Sequence, residues 1–289
     1  VYNSITEAVR CGYRHIDCAM IYGNEKTIGQ ALHDLFEQQV VQREELWITS
    51  KLWNSFHAPQ DVLPALEHTL ADLQLDYLDL YLMHWPVAFM PGVLSVQRAE
   101  ELIPLEELPL SDTWKAMEAL VLAGKARHIG VSNFSTRKLQ QLMDTTTHKP
   151  ENNQIEIHPY LQQRELVGFC KQHGIPVTAY MPLGAGTRHA DGEYPTVPVL
   201  DNPVIRDIAA RHHATPAEVV LAWNMQRDIA VIPKSIHPER IRTNFRSVSL
   251  RLTESDMQEI ARLDKGVRFS KGSFCCPENG PYSYENIWD

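Results

Sequence analysis

The sequence has no apolar run long enough to cross a bilayer, no C-x-x-C spacing and no G-x-G-x-x-G behind a strand-like segment. Each absence removes a class. A membrane-spanning helix needs about 20 consecutive apolar residues, zinc ribbons and dithiol redox sites need closely spaced thiols, and a Rossmann site needs a glycine-rich turn at a helix N-terminus. The five cysteines, Cys11, Cys18, Cys170, Cys275 and Cys276, are an odd set without framework spacing. They read as reduced thiols of a cytoplasmic protein. Positive charge is in deficit too, with 27 Lys and Arg against 36 Asp and Glu and a net charge of −9. That argues against a nucleic-acid surface while leaving room for a local basic pocket that takes one small anion. A secretory leader is not evident, since "VYNSITEAVRCG" is already helix-like, and a chain that opens mid-pattern without Met reads as a fragment.

What is present is an ordinary globular composition, 44 % hydrophobic and 22 % charged over 289 residues, a length that suits two domains or one α/β barrel. Short apolar segments rich in β-branched and aromatic residues fall at 13–18, 46–52, 77–84, 126–133, 153–158, 176–182 and 229–235. Between them lie stretches of helical period at 24–39, 59–74, 111–124, 136–144, 163–174, 203–213, 215–228 and 238–248. Such alternation implies a parallel sheet with helical crossovers. The helix at the start has no strand before it, and a strand preceding Val1 would complete a (β/α)8 TIM barrel. The expected fold is therefore α/β, a (β/α)8 barrel with its first strand missing before Val1; an open seven-stranded sheet is the alternative. No linker interrupts the pattern, so a single domain over 1–289 is expected. Residues 85–111, 183–203 and the tail 266–289 are longer or less regular than a βα connection requires. The first two follow strands and so belong to the face where barrels keep their active sites, with the tail as a third flap.

Four polar residues stand at successive strand ends: Asp17 with Tyr22 close behind, Lys51, and His84. A lysine inside a barrel needs an anion, and Asp17 is the nearest by strand order. Its ammonium aimed at Tyr22 would favour the phenolate and bring the phenol from about 10 toward the working range of a general acid. His84 could orient a carbonyl or share the proton. The group is suited to giving a proton to a carbonyl oxygen, and it lacks an electron source.

Taken together, "GYRHIDCAMIYGNE", "ITSKLWN", "LDYLDLYLMHWP", "HIGVSNFS", "NQIEIHPYL" and "VIPKSIHPERIRTNF" resemble the aldo-keto reductase superfamily, most closely the aldose and aldehyde reductases, from Val1 to about Asp264. The resemblance implies an NADPH-dependent carbonyl reductase on a (β/α)8 barrel, with Asp17, Tyr22, Lys51 and His84 as catalytic tetrad and Tyr22 as proton donor. It also implies that Ser132, Asn133 and Gln154 hold the nicotinamide carboxamide and that Tyr180 stacks on its ring, with Leu183 in the same segment. Lys234, Ser235 and Arg240 match the phosphate-binding segment, where two cations can clamp a dianionic 2′-phosphate; Asn244 matches the adenine contact. This favours NADPH/NADP+ over NADH. Trp53, Trp85 and Phe89, with Phe274, Cys275 and Tyr282 of the tail, are the expected substrate lining, suited to apolar or aryl aldehydes.

Departures from the family pattern are Met181 in place of a serine that reaches the pyrophosphate, His237 for a threonine and Thr243 for an acidic residue. Ala185, Gly186 and Thr187 stand where an acidic residue would bridge across the cofactor, with Asp191 or Glu193 as substitutes. A poor latch would speed cofactor release. The thiols, the charge and the lack of a long apolar run point to a cytoplasmic protein without metal, nucleic-acid or membrane partner, and the resemblance implies a monomer acting on a small carbonyl compound. Two other readings stay open: a barrel enzyme whose Lys51 forms a Schiff base, which borohydride trapping would reveal, and a catalytically silent cofactor-binding protein, which would have no need of Tyr22.

Overall fold

The computed structural model describes residues 1–185 and 197–289. In chain order its elements are α1 (Tyr2–Cys11), β1 (His15–Asp17), α2 (Glu25–Glu37), β2 (Trp47–Leu52), α3 (Pro59–Leu73), β3 (Leu78–Met83), β4 (Ala88–Phe89), β5 (Leu102–Ile103), α4 (Leu110–Leu122), β6 (Ala126–Ser132) and α5 (Thr136–Thr145). There follow β7 (Asn153–Glu156), α6 (Arg164–Gln172), β8 (Val177–Tyr180), α7 (Pro203–Arg211), α8 (Pro216–Met225), β9 (Ile229–Val231), α9 (Pro238–Arg246), α10 (Glu254–Ala261) and α11 (Tyr284–Trp288). The chain divides into two compact units. One comprises Val1–Val9, Arg14–Asn153 and Gly272–Asp289, the other Arg10–Tyr13 and Gln154–Lys271.

In the first unit β1, β2, β3 and β6 are hydrogen-bonded neighbours in that order, all parallel. The register pairs Asp17 with Thr49, Lys51 with Leu82, and Met83 with Val131, which fixes the relative heights of the strand ends. Every residue of β3 is buried, as expected for a strand covered on both faces. Its one carboxylate, Asp79, is kept there by the Ile48 amide at 2.9 Å and by Arg43 and Arg127 at 2.8 and 3.2 Å. Two glycines permit close approach. A Cβ at Gly29 of α2 would stand 2.3 Å from the Asp72 carbonyl oxygen of α3, and one at Gly130 of β6 would stand 2.7 Å from the Asn152 carbonyl oxygen.

In the second unit β7, β8 and β9 are neighbours in order; β8 and β9 are parallel, with Val177 opposite Ile229 and Ala179 opposite Val231. Residues 218–224 of α8 are all buried, as befits a helix that is apolar almost all round. Its N-terminus is closed by reciprocal bonds between Thr215 and Glu218. The buried Glu156 at the end of β7 accepts from the Phe269 and Ser270 amides, both at 2.7 Å, and so fixes the segment leading into the tail.

These strands and helices are those of the (β/α)8 barrel class, with seven parallel strands among the described residues. Four elements escape the sequence pattern. Within 85–111, β4 and β5 form a small antiparallel pair; strands of two residues are too short to show a period. The tail is not wholly irregular, because α11 closes it in a single capped turn. Helix α10 begins with a Thr253/Asp256 capping box, a signal that "TESD" does carry.

Candidate active site

The four strand-end residues come together in the first unit. Asp17 ends β1 opposite Thr49, and Lys51 lies two residues further along β2 on the same face, so that the Lys51 Nζ donates to Asp17 Oδ2 at 2.6 Å and to the Cys18 carbonyl oxygen at 2.7 Å. Lys51 is 1 % exposed. Burial alone would push its ammonium down in pKa, but the charge of Asp17, with Tyr22 and the Asp17 hydrogen bond, outweighs that and holds it above the ordinary lysine range.

Tyr22 closes a short 3-10 turn, Met20–Tyr22, which Gly23 ends at φ 63° with its amide on the Met20 carbonyl. A left-handed residue there lets the chain turn at once into α2. The ring sits 5.4 Å from the Lys51 Nζ and edge-on to His84, centroids 6.1 Å apart. Tyr22 keeps 52 % of its surface open, so a carbonyl compound can reach it. The expected depression of its pKa is not found. Burial of the phenol raises it and Asp17 adds to the rise, while Lys51 acts downward through its charge and a hydrogen bond without reversing the sign. Desolvation of the phenol outweighs the pull of the ammonium.

His84 follows β3, its amide on the Leu52 carbonyl at 3.1 Å and its own carbonyl accepting from Asn133 Nδ2 at 3.0 Å. Burial, then Lys51 and His57, hold the imidazole well below its ordinary pKa, so it is neutral at physiological pH and suited to orienting a carbonyl by a hydrogen bond. Ser132 and Asn133 are buried where β6 ends. Asn133 has φ 65° and donates also to Ser132 Oγ at 3.2 Å, and these two residues thereby tie the end of β6 to His84.

The expected substrate lining also gathers in this unit. Trp53, Trp85, Phe89, Cys275 and Tyr282 belong to one buried cluster. Phe274 is stacked on Trp53 at 6.0 Å and meets Trp85 edge-on at 5.1 Å; at 38 % exposure it is the open member of this aromatic group. Cys275 is fully buried with its thiol on the Gly272 carbonyl, and the Tyr282 hydroxyl accepts from the Ala88 amide. Those two therefore back the aromatic wall. The tail itself is fastened by Lys138 and Arg137 to the Asp289 carboxylate, at 2.9 and 3.0 Å.

In the second unit Gln154 is buried in β7, and Tyr180 and Leu183 are partly buried at and after the end of β8. Met181 next to Tyr180 has φ 46°. Lys234 and Arg240 are exposed around the N-terminus of α9, Ser235 Oγ accepts from the His237 amide at 3.1 Å, and Asn244 is buried one turn after Arg240. Neither Lys234 nor Arg240 makes an ion pair among the described residues. Two unneutralised cations at a helix N-terminus fit a phosphate dianion. Gly186, Thr187, Asp191 and Glu193 lie outside the described residues. The cysteines are thiols, and among the described residues no cluster has metal-ligating geometry and no helix is long and apolar enough to cross a membrane. A buried turn that sequence reasoning passed over, Asn54, Ser55 and His57, directly follows Trp53; the polar run "NSFH" after a strand-end tryptophan was its signal.

The aldo/keto reductase family model matches residues 1–265. An aldo/keto reductase of Synechocystis sp. is 48 % identical over 290 residues, covering 100 % of this chain and 89 % of that protein. Aldo-keto reductase family 1 member A1 of Sus scrofa is 45 % identical over 92 % of this chain and 82 % of its own length, and the Homo sapiens protein of that name is 44 % identical over the same shares.

Proposed function

Because the chain belongs to the aldo/keto reductase family, and is thus an NAD(P)H-dependent oxidoreductase that reduces carbonyl compounds, we propose that it is an NADPH-dependent aldehyde and ketone reductase with Tyr22 as proton donor. The supporting observation is the buried Lys51, bonded to Asp17 at 2.6 Å with its ammonium against the Tyr22 ring. Asp17 keeps Lys51 charged, which disfavours the Schiff-base reading, since that chemistry needs a neutral amine.

When bound, the reduced nicotinamide supplies the hydride. Ser132, Asn133 and Gln154 would hold its carboxamide and Tyr180 would pack on its ring; Lys234, Ser235 and Arg240 would take the 2′-phosphate and Asn244 the adenine. Neutral His84 orients the substrate carbonyl toward Tyr22. The phenol, protonated at neutral pH, gives its proton to the carbonyl oxygen as negative charge grows there. The tyrosinate left behind is stabilised by the Lys51 ammonium. Trp53, Trp85 and Phe89 would exclude water on the substrate side, with Phe274 as the movable contact. The reading includes a monomeric, cytoplasmic, single-domain protein.

Consumption of NADPH with 4-nitrobenzaldehyde, for the wild type beside Tyr22→Phe, tests the proposal. The wild type is expected to turn over, and the variant to bind NADPH while losing about 10²- to 10⁴-fold in kcat/KM, the usual worth of a general acid. Binding of NADPH without turnover by either protein would replace it with the silent-binder reading.

A further inference from the structure

The turn after β2 holds polar atoms that the reaction above does not use. Asn54 is 0 %, Ser55 2 % and His57 1 % exposed. Both amide atoms of Asn54, the Ser55 hydroxyl and both ring nitrogens of His57 are buried without a protein partner, and so is Nδ1 of His84. Buried polar atoms are nearly always hydrogen-bonded, to protein or to ordered water, so six on neighbouring residues mark a built polar pocket. Three contacts fix the position of this cluster. His84 is joined to the start of this turn by its amide on the Leu52 carbonyl, the Trp53 ring lies 5.2 Å from the His84 ring, and the His57 carbonyl accepts from Thr113 Oγ1 at 2.7 Å.

A neutral imidazole carries one N–H and one bare nitrogen. If the substrate-facing nitrogen of His84 is to donate to a carbonyl oxygen, the buried Nδ1 must be the bare one and must accept a hydrogen bond from behind. No protein donor supplies it directly; His57 is near enough for its charge to act on the His84 imidazole, and Asn54 and Ser55 belong to the same buried turn as His57. We propose that this pocket binds ordered water linking His57, Asn54 and Ser55 to Nδ1 of His84, and that His57 is thereby a positioning residue that fixes the His84 tautomer. A linker of this kind needs a group able both to donate and to accept, and neutral His57, held near pKa 3 by burial, stays such a group throughout the physiological range. The inference rests on the reading that His84 orients the substrate carbonyl, but its first test does not depend on turnover.

That test is the ¹⁵N–¹H long-range correlation spectrum of His84 in the ligand-free protein, for the wild type, His57→Leu and His57→Gln, with assignment by His84→Gln. The wild type should show one dominant tautomer with Nε2 protonated. In His57→Leu that population is expected to redistribute, kcat with NADPH and 4-nitrobenzaldehyde to fall about 10-fold and NADPH affinity to stay unchanged; His57→Gln, which can donate and accept, should restore much of both. An unchanged His84 tautomer in a folded His57→Leu protein overturns the proposal, as does a wild type already mixed. Should His57→Leu fail to fold, Ser55→Ala and Asn54→Leu probe the same pocket by the same spectrum, and the proposal falls if neither moves it. A tautomer shift without any wild-type turnover would leave the water link standing and overturn the reductase reading instead.

Discussion

Lys51 is a fully buried ammonium, tolerated only beside its partner. Replacing Asp17 by Asn removes that partner while keeping its shape, and leaving a buried charge uncompensated costs about 3–5 kcal/mol. Urea unfolding of Asp17→Asn at pH 7 should show a loss of that order, together with loss of reductase activity; a loss below about 1 kcal/mol, the range of surface pairs, would mean that Lys51 sheds its proton in the variant. In the second unit, Arg240 is exposed and Asn244 buried, so Arg240→Ala should leave folding unchanged. It is expected to raise the Michaelis constant for NADPH about 10-fold or more and that for NADH little, because only the former carries the 2′-phosphate. Equal effects on the two cofactors would remove Arg240 from the phosphate site. That Asp17, Tyr22, Lys51 and His84 would meet was legible because they stand at or just behind successive strand ends in the chain. The sign of the Tyr22 shift was not, because desolvation depends on what surrounds a side chain and a one-dimensional pattern does not display it.

Elements were legible where they repeat a period, and illegible where one turn or one bridge does the job. All seven parallel strands fall inside the expected segments, their ends trimmed by one to four residues, because apolar runs fix which residues are buried and leave the last hydrogen bond undetermined. The pair β4 and β5 and helix α11 rest on contacts distant in sequence, such as the Ala88 amide on the Tyr282 hydroxyl and Lys138 on Asp289, which no local window contains. Helix packing supplies a sharper case. Gly29 costs α2 about 1 kcal/mol of propensity relative to alanine, yet an alanine methyl there would press on backbone atoms of α3 at 2.3 to 2.8 Å. Steric exclusion outweighs propensity when the obstacle is backbone. Gly29→Ala should therefore destabilise by about 1–3 kcal/mol, measured by chemical denaturation, and a stabilised variant would mean that α2 and α3 separate more freely than their packing implies.

At the scale of the whole molecule three histidines shape the response to acid. Burial holds His57 neutral down to about pH 3, holds His84 well below its ordinary range and lowers His15. In the unfolded chain all three return to about 6.5. The unfolded state then binds more protons below pH 6.5, so the stability present above that pH is lost progressively as the pH falls toward the folded pKa values. For His57 alone the loss is about 1.4 kcal/mol per pH unit once the pH is well below 6.5. Asp256, held low against burial by His212, Thr253 and Arg211, acts in the same direction at more acid pH. Glu25 opposes them: burial raises its carboxyl despite the Ser50 and Thr69 hydrogen bonds, so the folded state takes up that proton first. Its single opposing contribution does not cancel three imidazoles between pH 6.5 and 5. The urea midpoint should thus fall steadily over that interval, in one transition if the chain is the single domain proposed. In His57→Leu the slope of stability against pH should shrink by about one proton. An unchanged slope would mean that the His57 imidazole takes up its proton in the folded protein as readily as in the unfolded chain, and that the pocket behind His84 is open to bulk water.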